Sequence, residues 1–434
     1  MSTILLYPLV NCPVGCAYCF ESPHHGNVKK YDMRSMVATL KEIYEPKNDS
    51  VIMHGGEVFS LPIRDFKYFV HNASQVARSL SIQTSLVGLT NEHVRLLKKY
   101  NVHVGISVDG PPELNILRGP RDPEKNKQYQ QDVVSNMAKL QKNGISFGVL
   151  SVLSKVNASK DNIEKLISWY KSNKISGRFN PMFCPVWNNT LSEYQLTPDE
   201  AKYAWIRLAD EVLKDHTLQW LPAREFIDNL FGAYSLSSCI VNRCDYFVAT
   251  CRAILADGSV ASCDRTFQEG YYLRNNSEER KHTRSDMLSQ TECAECRYFP
   301  ICGGGCPGEG DDGDFRHRSY FCEAYYGLYE YLEDRIRGLM PNVVLSIDRE
   351  DYYNEYALKG RYNQWAEKMI NHSTWHHITN TKKQSPCSQR QSPCSQQKNE
   401  HGDHYDDIRP DHGDHYDEAK PHDHGNWSDH GDSR

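Results

Sequence analysis

Long apolar runs are missing from this chain of 434 residues: the opening "MSTILLYPLVNC" is apolar for far less than a membrane span and lacks the positive stretch that begins a signal peptide. Neither a membrane nor export is expected, and the cytoplasm is the expected compartment. An excess of positive charge is missing too. The formal net charge is −6, so no broad cationic surface is available to neutralise phosphates, which argues against nucleic acid as a partner. Large aliphatic side chains are nearly absent from residues 384 to 434, where Ile408 alone exceeds alanine and proline. Such a segment cannot bury a core and is expected to be disordered in isolation.

Cysteine, by contrast, abounds. Fifteen cysteines in a chain expected in a reducing compartment point to thiolate–metal ligation rather than disulfides. Their placement is uneven: three lie near the N-terminus, Cys184 stands alone, nine fall between Cys239 and Cys322, and Cys387 and Cys394 lie in the tail.

The length exceeds one ordinary core and predicts a large catalytic domain with something smaller attached. From Ile4 to about Phe183, strand-like runs alternate with amphipathic helical stretches, the pattern of a parallel α/β sheet or barrel. The expected strands are "ILLYPLV", Ser50 to His54, Ser81 to Leu86, Val102 to Val108, Phe147 to Leu153 and Ile175 to Pro181. Six βα units make a partial (β/α)6 barrel over 1–196. A helical bridge over 197–238 follows, then a cysteine-rich domain with its closing helix over 239–339, a helical or irregular extension over 340–383, and the tail over 384–434.

In "NCPVGCAYCF", Cys12, Cys16 and Cys19 follow directly on the first strand. A tight loop at the carboxyl end of such a strand is where α/β active sites lie. Three protein thiolates rather than four leave one iron of a cluster open to a further ligand. A zinc loop is the competing reading, but zinc asks for a fourth close Cys or His and gives no reason for the flanking Tyr18 and Phe20. The Cys-x3-Cys-x-aromatic-Cys loop resembles the radical S-adenosylmethionine (SAM) superfamily. That resemblance implies a 4Fe–4S cluster on Cys12, Cys16 and Cys19 that SAM chelates. It further implies that Gly55, Gly56 and Glu57 of "HGGEVF" contact the methionyl amino group. Ser107, Asp109 and Arg118 of "ISVDGPPELNILRGPRD" are likewise implied to touch the SAM ribose or carboxylate.

Farther along, Cys293-x2-Cys296-x5-Cys302-x3-Cys306 is followed by Cys322, and Cys244-x13-Gly258-x4-Cys263 precedes it. This resembles the SPASM domain of radical SAM peptide and protein maturases. The resemblance implies one or two auxiliary 4Fe–4S clusters: one on Cys293, Cys296, Cys302 and Cys322, and another on Cys263 and Cys306 with Cys244, Cys251 or both. Cys184 and Cys239 read as buried apolar thiols. Asp264, directly after Cys263, corresponds to the aspartate proposed as a proton acceptor in sulfatase-maturating relatives; a helix cap or salt bridge is the equal alternative.

The tail repeats "QSPCSQ" around Cys387 and Cys394 and "HGDHYD" at His401 and His412, with "HGN", "WSD" and "HGD" after them. The bland reading is a weak metal-binding or solubilising appendage. The sharper one is a ring residue, any residue, then Asp or Asn, which resembles the substrate motif of three-residue cyclophane-forming radical SAM/SPASM enzymes. The tail would then be a fused ribosomal peptide substrate. Many peptide-modifying relatives begin with a leader-binding module, whereas this chain enters its first strand by Ile4; a tethered substrate would need no such module, and a sulfatase-type maturase would equally be expected to lack one. Thioether formation by Cys387 or Cys394, formylglycine formation in a separate sulfatase, and a silent metal-binding or iron-delivery protein are the other functions considered. A flavodoxin or ferredoxin is the expected reducing partner.

Overall fold

The computed structural model describes residues 2–8, 12–19, 30–45, 49–183, 191–233, 251–261, 288–310 and 317–349. Cys184, Cys239, Cys244, Cys263, Asp264 and the whole tail lie outside the described residues, and of Cys251 only the backbone is described.

The strand β1 (Ser2–Tyr7) is followed by α1 (Met33–Ile43), β2 (Asp49–Met53), α2 (Ile63–Val76), β3 (Ser79–Thr84), α3 (Asn91–Lys99), β4 (His103–Ser107) and α4 (Pro123–Lys142). Then come β5 (Phe147–Leu153), the short α5 (Lys155–Ala158), α6 (Ile163–Ser172), β6 (Gly177–Pro181), α7 (Pro198–Lys214), β7 (Trp220–Leu221) and α8 (Ala223–Leu230). The last described elements are β8 (Cys251–Leu255), β9 (Val260–Ala261), α9 (Phe299–Cys302) and α10 (Cys322–Leu339). The sheet order is β7-β6-β5-β4-β3-β2-β1-β8-β9, parallel throughout except for the antiparallel β8–β9 pair. The six expected strands are β1 to β6, in sequence order across the sheet.

Local chemistry accounts for the helices. Asp32 accepts from the Arg34 and Ser35 N–H groups to start α1, and Met33, Met36, Val37 and Leu40 form its buried stripe. Asp122 caps α4 ahead of Pro123, and Thr197 with Glu200 forms a capping box on α7. Burial on both faces makes β1 central: Ile4 and Leu6 join the main core, while Leu5 and Tyr7 pack with Ala253, Leu255 and Ala261.

That second packing marks a difference from the sequence reading. The region expected to fold as a separate cysteine-rich domain from residue 239 contributes β8 to the main sheet, paired with β1 from Thr3↔Cys251 to Tyr7↔Leu255. The β8–β9 turn rests on α1: Thr39 Oγ1 donates to the Gly258 carbonyl at 2.9 Å, and a Cβ at Gly258 would come within 2.3 Å of Ser35 Oγ. Position 258 also has φ +83, so both space and backbone require glycine. The expected closing helix is α10, which packs on α7 with the Tyr325 ring stacked on Trp205 at 5.2 Å. The described residues all belong to one compact unit.

Candidate cluster and cofactor site

All parallel strands present their carboxyl ends on one edge, and the residues singled out in the first half of the chain gather there. Cys12, Cys16 and Cys19 follow β1, Gly55 to Glu57 follow β2, Thr84 and Ser85 end β3, and Ser107 and Asp109 end β4.

The three-cysteine loop is held from outside by the segment after β4. Ala17 N–H donates to Leu117 O at 2.8 Å, Cys19 N–H to Cys16 O at 3.2 Å, and the Tyr18 hydroxyl to Asp109 Oδ2. Asp109 Oδ1 accepts from Arg118 Nη2 at 2.9 Å and from Val152 N–H at 2.8 Å, and the Arg118 guanidinium lies over the Tyr18 ring, 5.4 Å from its centroid. Both members of the ion pair are buried. Asn115 accepts from Asp109 N–H at 2.7 Å and donates to Gln130 at 2.7 Å, which in turn donates to the Asn115 and Arg118 carbonyls. Burial pushes the Cys12 thiol up to about 12, with Glu57, Cys16 and Cys19 adding to the shift. Cys16 is pushed up by burial as well, and Arg118 opposes this.

Glu57 is buried, and its carboxylate is saturated. Thr84 Oγ1 donates at 2.6 Å and Phe59 N–H at 3.0 Å to one oxygen, and Ser85 gives both its N–H, at 2.7 Å, and its hydroxyl to the other. Four donors fill the acceptor sites of a carboxylate. Burial still outweighs them, so the acid is pushed above its usual range. The visible work of Glu57 is to tie the Gly-Gly loop to the end of β3. Gly55 sits at φ +84, where a Cβ would meet the Tyr7 ring at 2.6 Å. Ser107 Oγ accepts from Gln83 Nε2 at 2.7 Å.

Sequence reasoning did not single out Thr84, Ser85, Asn115, Gln130 or Asn157, whose side chain donates to the Asp109 carbonyl at 2.9 Å. A Thr-Ser pair closing a strand offers a weak signal; nothing local marks Gln130 inside a helix.

In the second cysteine group, Cys293 and Cys306 are buried, and Cys296, Cys302 and Cys322 are half-buried. Cys296 packs with Cys293, Leu288 and Phe299, while Cys302 and Cys306 lie near the buried Tyr325. Arg318 Nη1 donates to Cys322 Sγ at 3.7 Å, and Arg318 N–H bonds Glu292 at 2.7 Å. The structure therefore holds residues 317–322 against 288–310. Among the described residues no three His, Cys, Asp or Glu side chains converge as ligands of a single ion. Thiolates of an iron–sulfur cluster bind different irons and need not converge.

A parallel α/β sheet with a three-thiol loop at its carboxyl edge suits a metallocofactor held at the strand ends. Residues 6–168 match the Radical SAM superfamily. This segment is a radical SAM domain, a domain that uses SAM and a 4Fe–4S cluster. Among similar sequences is the cysteine-type anaerobic sulfatase-maturating enzyme of Clostridium novyi, 24% identical over 356 residues, covering 74% of this chain and 92% of that protein. A serine-type counterpart from Bacteroides thetaiotaomicron is 22% identical over 376 residues, covering 74% and 86%. Among solved structures, native anSMEcpe with bound AdoMet and Cp18Cys peptide superimposes with a TM-score of 0.64 at 19% identity, covering 79% of this chain and 99% of that one. Streptococcus suis SuiB gives 0.50 at 16% identity, covering 74% and 76%. These likenesses establish a shared fold.

The residues present suit the cofactor. Three thiols stand in one loop, and Arg118 beside Cys16 has a buried Nε without a partner among the described residues. A buried donor of that kind is completed by a water or by an acceptor such as an anionic group.

Proposed function

We propose that the enzyme modifies a peptide or protein by radical hydrogen abstraction, and that its substrate is the ring-x-Asp/Asn tail it carries. Bound SAM, once the cluster receives an electron, supplies a 5′-deoxyadenosyl radical. The chain's own residues then have separate tasks. Cys12, Cys16 and Cys19 would ligate the cluster, Asp109 and Tyr18 hold their loop, and the Gly55–Gly56 backbone, positioned through Glu57, would border the methionyl end of SAM with Ser107. Cys293, Cys296, Cys302 and Cys322, and Cys263 and Cys306 with Cys244 or Cys251, would hold auxiliary clusters. Asp264 would receive a proton.

The observation that carries the tail reading is the recurrence of the triplet at His401, His404, His412, His415, His424, Trp427 and His430, each two residues before Asp or Asn. A carbon–carbon link between ring and β-carbon replaces two C–H bonds, so each link removes two hydrogens: one would leave the β-carbon as an atom to the 5′-deoxyadenosyl radical, the other would leave the ring as a proton to Asp264 and an electron to an auxiliary cluster. Mass spectrometry of proteolysed residues 384–434 from anaerobically expressed enzyme, beside a Cys16→Ala variant, tests it. Losses of two mass units confined to the triplets and absent from Cys16→Ala are expected; an unmodified tail in both sinks the reading. Thioether formation is tested in the same product, since iodoacetamide-reactive Cys387 and Cys394 exclude it.

A second reading rests on the relatives: the two maturases named above align over most of their length. Formylglycine formation in a separate sulfatase would then replace tail cross-linking. It predicts conversion of a Cys-x-Pro-x-Arg peptide by this enzyme and an unchanged tail.

A further inference from the structure

Two of the large apolar side chains most exposed among the described residues, Ile116 at 52% and Val134 at 53%, lie in one surface groove of about 860 Å³. The groove runs between one face of α4, which contributes Asn126, Lys127, Gln130, Gln131 and Val134, and the Pro112–Arg121 segment. Apolar side chains inside a groove with a polar rim suit a docking surface. The charged side chains that line it, Arg121 and Lys127, are both positive. A cationic lining favours an acidic partner and orients it.

The groove also reaches the cluster loop. Ala17, between Cys16 and Cys19, forms part of its wall, and so does Gly119. Gly119 N–H is hydrogen-bonded to the Cys16 thiol, so the groove floor is one hydrogen bond from a cluster-ligand sulfur.

We infer that this groove docks an acidic one-electron carrier protein, a flavodoxin or ferredoxin, whose electron enters through the Gly119–Cys16 contact. The inference rests on the radical SAM reading and adds the place where reduction occurs. One electron leaves the reduced carrier and is taken up by the cluster; no bond in the chain forms or breaks. Apolar contact around Ile116 and Val134 gives the encounter its affinity, and Arg121 with Lys127 its direction and salt sensitivity.

The test uses cluster-loaded full-length enzyme, with a flavodoxin and a two-cluster ferredoxin as probes. Affinity is read by interferometry at low and high salt, and 5′-deoxyadenosine formation is read with each carrier or with dithionite as reductant. Val134→Asp and Lys127→Glu are each expected to weaken carrier binding at least tenfold and to slow carrier-driven deoxyadenosine formation in step. Their dithionite-driven rates should match the wild type, and Lys165→Glu on α6 should leave binding unchanged. The docking assignment is overturned if neither carrier binds the wild type, or if both groove variants bind as the wild type does. It is also overturned if the variants keep the carrier but lose a synthetic peptide of residues 401–417, which would make the groove a peptide site. Failure of the loaded wild type to cleave SAM even with dithionite would instead overturn the radical reading beneath it.

Discussion

Arg118 and Asp109 meet at 2.9 Å in the interior, and through the second carboxylate oxygen Asp109 also receives the Tyr18 hydroxyl. Residues 91 positions apart in sequence are thereby joined, and the loop bearing the three cysteines is fastened to the end of β4. Ser107, Asp109 and Arg118 were expected to face SAM directly. The structure shows Asp109 and Arg118 chiefly engaged with each other and with the loop.

Asp109→Asn leaves Arg118 buried without a counter-charge, which costs about 3–5 kcal/mol. A lower melting temperature and fewer irons per chain after reconstitution are the expected results. Tyr18→Phe removes a single hydrogen bond and should cost about 1 kcal/mol. Wild-type melting and iron content in Asp109→Asn would show that the pair does not hold the loop.

Glu57→Gln keeps the shape but presents an amide NH2 to donors that now meet an acceptor. Because Ser85 supplies both its N–H and its hydroxyl to one oxygen, the expected loss is about 2–4 kcal/mol. Thr84→Ala should cost less, about 1 kcal/mol. Equilibrium dialysis should show weaker SAM binding in Glu57→Gln through misplacement of Gly55 and Gly56. Unchanged affinity would detach the Gly-Gly loop from the cofactor.

Gly55→Ala forces a methyl group to within 2.6 Å of the Tyr7 ring at a backbone φ of +84. SAM affinity should fall at least about tenfold, which corresponds to about 1.4 kcal/mol. Gly144→Ala is the control: its φ is +68, but nothing lies within 4 Å, so only the backbone penalty of about 1–2 kcal/mol applies and SAM binding should persist. Equal effects at both positions would attribute the change to stability alone.

His93 lies between the Phe59 and Phe66 rings at 4.7 and 5.0 Å and closes the α3 cap through Thr90. Burial, with Lys139 adding to it, lowers its pKa from 6.5 to about 4. The unfolded chain therefore binds a proton between those values that the folded chain refuses. Stability is complete above pH 6.5 and is lost as the pH falls toward 4, by about 3 kcal/mol in all. Urea denaturation at pH 7 and pH 5 should show this drop in the wild type and a shallower one in His93→Gln; parallel slopes would assign the effect to other groups.

The strand and helix pattern of the first 180 or so residues was legible because burial imposes a period of two on strands and 3.6 on helices. The loop bearing Cys12, Cys16 and Cys19 was legible because their spacing keeps all three within one short segment after β1. Sequence alone thus determined the parallel sheet, the cysteine loop and the glycine turn after β2. Tertiary structure decided the rest. It assigned Glu57 its partners from β3, paired Asp109 with Arg118 and Tyr18, and enlisted Gln130 from the middle of α4. It also placed β8, read as part of a separate domain, beside β1. These relationships depend on which distant groups folding brings within about 3 Å, since a buried polar atom must find a partner wherever the chain supplies one. Periodicity and spacing record only neighbours along the chain.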